Sequence, residues 1–174
     1  MIVLKPNYKF PFLFVLLVFL VSGCATSQET KVDTVAMYGQ PEVERSDDLK
    51  EEDEEFIEEA VDEVGSREKA SKLWYSKGDE YLAERNLNFA MRRYNQAWLL
   101  NPENYQPYWG FGRVAIQRDN VDEAIEFLEK AETLIDDPFQ EVALLSDIGA
   151  AYSYKATAGS MSPNAKLKLY ETAN

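Results

Sequence analysis

The chain of 174 residues carries 31 acidic and 18 basic side chains, which give a formal net charge of −13. This balance argues against nucleic acid as a partner, because nucleic acid requires a basic surface, and against electrostatic adhesion to anionic lipid. The chain has no histidine and one cysteine, which excludes histidine-based catalysis, histidine-ligated metals and a disulfide framework.

The first 23 residues have the layout of a secretion signal. A short basic start precedes an apolar run at residues 10–21, which is too short to cross a bilayer, since a spanning helix needs roughly 20 residues. Residues 21–24 read Val-Ser-Gly-Cys, and this motif resembles the lipobox of bacterial lipoproteins. The resemblance implies cleavage before Cys24 and lipidation of that residue, and Ala25 implies sorting to the outer membrane. The alternatives are an ordinary secretory signal with an incidental cysteine, or an uncleaved anchor helix.

A polar stretch and an acidic stretch follow. Residues 24–46 have weak periodicity and contain helix breakers, so we predict a flexible tether. Residues 47–66 are strongly acidic, but apolar side chains recur there at helical spacing: Phe56, Ala60 and Val64, with Ile57 and Val61 beside them. This pattern predicts an amphipathic helix that docks on the next element. We interpret its acidic side as a solvated surface; the alternative is a site for a divalent cation or a basic partner.

The next stretch, residues 71–102, has a regular spacing of small and aromatic residues. Counted from Ser71, places 4, 8, 11, 20, 24, 27 and 32 hold Trp74, Gly78, Tyr81, Ala90, Tyr94, Ala97 and Pro102. The first three share one face of a helix and the next three share one face of a second helix, which the proline ends. The spacing resembles the tetratricopeptide repeat, a helix–turn–helix unit of about 34 residues.

The same pattern recurs twice. A second unit begins at Tyr105 and a third near Val142, where the second helix requires a longer turn before Ala165. We therefore predict an all-α solenoid of about six repeat helices at 67–174, preceded by the signal peptide (1–23), the tether (24–46) and a capping helix within 47–66. The repeats fall at about 71–104, 105–138 and 142–174. The last repeat has no solvating helix after it, which predicts either an interface there or a longer natural chain.

The resemblance also implies a binding surface, because the first helices of tetratricopeptide repeats line a concave groove. Carried over by position, the groove residues are Lys72, Tyr75, Asp79, Leu82, Gln106, Trp109, Arg113, Ile116, Ser146, Ala150 and Tyr154. We expect Trp109 to be an exposed hot spot beside Arg113; the alternative is that its indole packs between repeats one and two, as part of the inter-repeat core. Tyr75 and Asp79 replace the lysine and asparagine of the chaperone-binding subfamily, which disfavours a chaperone tail as ligand. Arg92 and Arg93 are expected on a solvated convex surface.

These features favour a non-enzymatic scaffold, anchored through lipid on Cys24 in the bacterial outer membrane and facing the periplasm. It would bind a protein or peptide by aromatic contact at Tyr75 and Trp109, with charge selection by Asp79 and Arg113. Assembly of a pilus, secretion or peptidoglycan complex is the candidate role. A structural homo-oligomer joined through the last repeat is the alternative, followed by an enzyme or small-ligand carrier. We predict no catalytic residue, metal or cofactor.

Overall fold

The computed structural model describes residues 32–158, so Cys24, the signal peptide and the predicted last helix at 164–174 lie outside the described residues. The described part contains two short 3₁₀ turns and six α-helices, and no strand. The turns are Val32–Thr34 and Ala36–Gly39, and the helices are α1 (Asp47–Val64), α2 (Arg67–Ala83), α3 (Leu87–Leu100), α4 (Tyr105–Gln117), α5 (Val121–Leu134) and α6 (Pro138–Ala158). The predicted all-α class is confirmed.

The helix boundaries are specified by short polar side chains. The hydroxyl groups of Ser46 and Ser66 accept hydrogen bonds from the backbone N–H three residues later, at the starts of α1 and α2. The side-chain carbonyls of Asn86 and Asn104 accept in the same way at the starts of α3 and α4, from the N–H groups of Phe89 and Gln106. Such caps satisfy backbone donors that have no partner inside the helix. Gly65 ends α1 in the left-handed conformation, with φ of 92°, which glycine adopts without steric penalty.

The ring of Tyr94 on α3 is the centre of the first repeat. It is fully buried and lies between two glycines on neighbouring helices. A Cβ added to Gly78 on α2 would lie 2.4 Å from its Cε1, and one added to Gly110 on α4 would lie 2.7 Å from its Cδ1. Leu128 on α5 meets Gly112 in the same way, at 2.7 Å. Each hairpin is therefore closed by a large side chain that fits over a glycine on the facing helix.

Helix α1 covers the outer side of this first repeat, as the apolar spacing within 47–66 predicts. Its Phe56 ring meets the Trp74 ring edge to face, with centroids 5.5 Å apart. Ala60 is buried, and Ile57 and Val64 pack against the same core. The acidic side chains of α1 stay mostly exposed, so the helix closes the start of the solenoid while its charged side faces water.

Residues 32–45, which we call the strap, differ from the predicted flexible tether. Asn95 of α3 is completely buried and its side-chain amide donates to the carbonyls of Asp33 and Val35 at 3.1 and 2.8 Å. Its side-chain oxygen accepts from the backbone N–H of Tyr38 at 3.2 Å. An asparagine buried this deeply requires such partners. The tether prediction is therefore corrected from residue 32 onward, because the strap is packed on α3.

The strap also changes the expected environment of the convex surface. Arg92 pairs with Asp33 of the strap and is only partly exposed, and Arg93 is partly exposed as well. Arg118, after α4, donates to the carbonyl of Thr34 at 2.8 Å. Arg92 and Arg93 thus lie partly exposed on the expected convex side, and the strap covers part of this side of the repeats.

Helix α6 has one packed face and one open face. Leu144 and Ala151 are buried against α5, whereas Phe139 and Val142 are 90% and 70% exposed. Leu145 and Tyr152 are exposed too, and a Cβ added to Gly149 would meet nothing within 4 Å. In the first two repeats, the glycine at the corresponding place is covered by the second helix of its own repeat. The open face of α6 is therefore apolar and uncovered among the described residues.

Candidate functional site

The first helices of the repeats, α2, α4 and α6, line a groove with a cavity of about 970 Å³. Turns at the ends of α3 and α5 complete its edge. Six of the residues expected from the sequence line this cavity: Lys72, Tyr75, Asp79, Gln106, Trp109 and Arg113. The predicted lipidation residue, Cys24, lies outside the described residues. Side chains at the expected repeat positions of α2 and α4 therefore line one depression of the surface.

An ion pair occupies the floor of the groove. Arg113 Nη1 lies 2.8 Å from Asp79 Oδ1, and the hydroxyl of Tyr94 donates to the same oxygen at 2.7 Å. Burial, followed by the charge of Asp79, raises the pKa of both Tyr94 and Tyr75 above the ordinary value, so both phenols are neutral at physiological pH. Asp79 and Arg113 therefore pair with each other and join α2 to α4, and their selection of a partner's charge stays a prediction.

Trp109 is not the exposed anchor that the sequence predicts. Its side chain is only 9% exposed and its ring lies beside that of Tyr105, with centroids 6.5 Å apart. The indole N–H donates to Asp147 Oδ2 of α6 at 2.7 Å. The indole therefore packs at the junction of the second and third repeats, and only its edge contributes to the groove wall. This is close to the alternative interpretation, in which the indole is part of the inter-repeat core.

The other expected groove residues are divided between the core and a second depression. Leu82 is 3% exposed and belongs to the core, so its placement in the groove was wrong. Ile116, Ala150 and Tyr154 line a neighbouring cavity of about 400 Å³. Tyr154 donates there to Asp119 at 2.6 Å. Ser146 lies on α6 and is exposed. The two cavities share Arg113 and Asp147, so they are adjacent parts of one concave surface.

Carboxylates on the groove edge are the residues that the sequence reasoning missed. Glu103 follows α3, Asp136 and Asp137 lie between α5 and α6, and Asp147 lies on α6. Three of them come from turns, whereas the resemblance indicates only places on the first helices. A signal was present in the sequence, because Glu103 directly follows Pro102 and the two aspartates directly precede Pro138 at the ends of repeats. Altogether six carboxylates and two basic groups line the cavity.

The chemistry of this site is that of a binding surface. The described residues contain no group of three or more side chains that could hold a metal ion. They also contain no helix that is both long enough and apolar enough to cross a membrane. The groove offers aromatic edges, amide groups and carboxylates, which are suited to contacts with another chain.

Comparison with protein families matches residues 81–146 to the tetratricopeptide repeat. The matched region runs from the end of α2 into α6 and includes the groove residues of α4. Searches of curated proteins and of solved structures found no significant match. Tetratricopeptide repeats generally mediate protein–protein interaction or scaffolding. Residues 81–146 are therefore similar to the tetratricopeptide repeat, and the described helices form a helix–turn–helix solenoid that is consistent with this match.

Proposed function

We propose that this protein is a lipid-anchored scaffold of the bacterial cell envelope that binds a segment of another protein in the groove between α2, α4 and α6. The observation that carries the proposal is the cavity of about 970 Å³ on the concave surface. Its size is at the upper end of ligand pockets in proteins, which makes it large enough for several side chains of an extended or helical segment. The partly exposed groups along it, such as Gln106 and Asp79, offer hydrogen bonds that could fix the orientation of that segment.

The anchor is proposed from the sequence of residues 21–24 and from Cys24, which is the single cysteine of the chain. Lipidation would attach the protein to the membrane without a spanning helix, because several acyl chains together give a stable anchor. Ala25 supports placement in the outer membrane facing the periplasm. Expression of the chain and of Cys24→Ala with an alkyne-tagged fatty acid tests the anchor. Label on the wild type alone supports it, and equal labelling of both chains contradicts it.

A capture experiment with matched surface variants tests the groove. Gln106 and Gln140 both line the cavity and are at least partly exposed, so Gln106→Lys/Gln140→Lys changes the groove without disturbing the core. The control is Asn88→Lys/Thr133→Lys, which introduces the same charges at exposed positions of α3 and α5. Membrane and soluble fractions of the source cell are passed over each immobilised protein, and each retained protein is then purified and its affinity is measured.

The proposal is supported by a partner that binds the wild type and the control variant but binds the groove variant about tenfold or more weakly. Such a loss of affinity corresponds to about 1.4 kcal/mol. The identity of that partner would assign the protein to pilus, secretion or peptidoglycan assembly. Equal binding to all three proteins would show that the groove is not the site.

The open face of α6 favours a second candidate, a homo-oligomer joined through the last repeat. Phe139 and Val142 are 90% and 70% exposed, and contiguous exposed apolar surface commonly marks a protein interface. Measurement of molar mass at two protein concentrations tests this candidate, with Val142→Glu as the disrupting variant. A mass that rises with concentration for the wild type alone supports it. A constant monomer mass excludes it.

A further inference from the structure

We propose that the groove selects a partner segment rich in lysine or arginine, whose cationic groups meet the carboxylates of Asp136, Asp137 and Asp147 while the alkyl stems lie along Tyr105 and Trp109. This inference rests on the proposed function of the groove. It differs from the charge selection expected from the sequence, because the residues that carry the charge lie on the turn before α6 and on α6 itself.

The basic groups that line the groove are already paired. Lys72 Nζ lies 2.8 Å from Glu68 Oε1, and Arg113 Nη1 lies 2.8 Å from Asp79 Oδ1. An acidic segment would therefore have to share a cation that already has an anionic partner in the structure. Among residues 32–158, the ion pairs include none formed by Glu103, Asp136, Asp137 or Asp147. These four carboxylates can accept a basic ligand without breaking an ion pair in the described structure.

Two of these carboxylates are held in place by neutral donors. Asp137 Oδ1 accepts from the backbone N–H groups of Phe139 and Gln140 at 2.9 and 3.3 Å and caps the start of α6. Asp147 Oδ2 accepts from the indole of Trp109 at 2.7 Å. Hydrogen bonds of this kind orient a carboxylate but leave its negative charge in place. Both carboxyl groups are already partly buried. A ligand that covers them therefore removes less water than it would remove from a fully exposed carboxylate.

Two largely buried aromatic side chains add narrow apolar edges to this surface. Tyr105 and Trp109 lie next to one another on α4 and both line the cavity with these aspartates. Burial raises the pKa of Tyr105, and the charges of Asp137 and then Asp136 raise it further, which agrees with the position of both carboxylates in the same cavity lining. Lysine and arginine carry an apolar stem that ends in a cation, so they can contact ring edges and carboxylates at once. A metal ion fits less well, since the described residues contain no group of three candidate ligands.

The test uses the purified chain and three labelled peptides of equal length. The three peptides share alternating leucine and glycine residues at fixed positions. At the remaining positions, one peptide has lysine, one has glutamine and one has glutamate. Affinity is measured by fluorescence anisotropy at about 50 mM and about 300 mM salt, since salt screens charge interactions at the surface. The groove variant is Asp136→Asn/Asp137→Asn, because asparagine still caps α6. The control is Glu58→Gln/Glu59→Gln, which removes the same charge from an exposed part of α1.

We expect the lysine peptide to bind at least about tenfold more tightly than the glutamate peptide at low salt. The groove variant should lose about three- to tenfold of that affinity, and the control should lose less than twofold. Equal affinity for all three peptides, with no effect of the groove variant, would overturn the charge preference and leave peptide binding intact. A loss of affinity in the control variant alone would assign the effect to α1 and would also overturn the charge preference of the groove. If none of the peptides binds and the capture experiment finds no partner whose binding depends on the groove, both proposals are overturned.

Discussion

At the scale of single residues, the position of Tyr94 depends on two amino acids that have no side chain. The ring lies between Gly78 and Gly110, and its hydroxyl reaches Asp79. A ring that is confined on both faces cannot move aside when one face becomes crowded. The packing at this point is therefore sensitive to a single methyl group, because protein interiors have little free volume.

Gly78→Ala should destabilise the protein by about 3 kcal/mol, since its Cβ would overlap the Tyr94 ring and force α2 and α3 apart. Gly149→Ala is the matched control on α6, where an added Cβ meets no atom within 4 Å. It should stabilise the protein by about 0.5–1 kcal/mol, because alanine favours the helix over glycine. Urea unfolding measures both. A clear loss of stability in Gly149→Ala would show that something covers the open face of α6 in solution.

The residue scale also shows what the sequence could predict. The sequence predicts Gly78 and Tyr94 on the inner faces of two successive helices, and the structure brings these faces together at that contact. The burial of Trp109 could not be derived in this way, since its partner Asp147 is 38 residues away and lies on another repeat. For the same reason, the sequence placed charge selection on Asp79 and Arg113 and did not foresee that they pair.

At the scale of elements, the strap is the part of the fold that sequence patterns describe least well. It has no helical or strand period, and polar composition made it resemble a tether. Asn95 helps to hold the strap in place. In the sequence of α3 alone, this asparagine looks like any polar residue on a solvated surface. The strap is a docked element because its backbone carbonyls and one N–H satisfy that buried side chain.

Asn95→Ala should release the strap. The substitution removes three hydrogen bonds and leaves buried backbone groups of the strap without partners, which should weaken docking by about 2–3 kcal/mol. The measurement is the rate of cleavage at Glu42 and Glu44 by a glutamate-specific protease under native conditions, since cleavage requires local unfolding. Gln117→Ala, at an exposed position of α4, is the control. Equal cleavage rates for both variants would mean that Asn95 does not hold the strap.

Docking of the strap should also depend on pH. Burial, with a further contribution from Asp53, raises the pKa of Tyr38 from 10.0 to about 12. Because the pKa is higher in the folded than in the unfolded chain, the contribution of this phenol to stability is complete below pH 10 and is lost as the pH rises from about 10 to about 12. The stability difference between the wild type and Tyr38→Phe should fall by about 2–3 kcal/mol across that window. A difference that is constant with pH would contradict this assignment.

At the scale of the whole molecule, the dominant quantity is the net charge of −13. Much of it lies on α1, where like charges recur one helical turn apart and repel one another. We expect the melting temperature to rise by a few degrees between about 10 mM and about 300 mM salt, because added ions screen this repulsion. The variant Glu51→Gln/Glu55→Gln, at two exposed positions of α1, should reduce the rise. An unchanged rise would place the repulsion elsewhere.

The strap has a consequence for the order in which the molecule folds. A solenoid can fold from local contacts, since each unit touches only its neighbours. The strap breaks that rule, because its hydrogen bonds join residues 57 positions apart at Asn95 and 84 positions apart at Arg118. The strap precedes every helix of the solenoid in the chain, so its partners on α3 and after α4 follow it in synthesis and in the proposed export. The part of the described chain that comes first therefore reaches its final position late, and Tyr38 and Ala36 remain uncovered until those partners have folded.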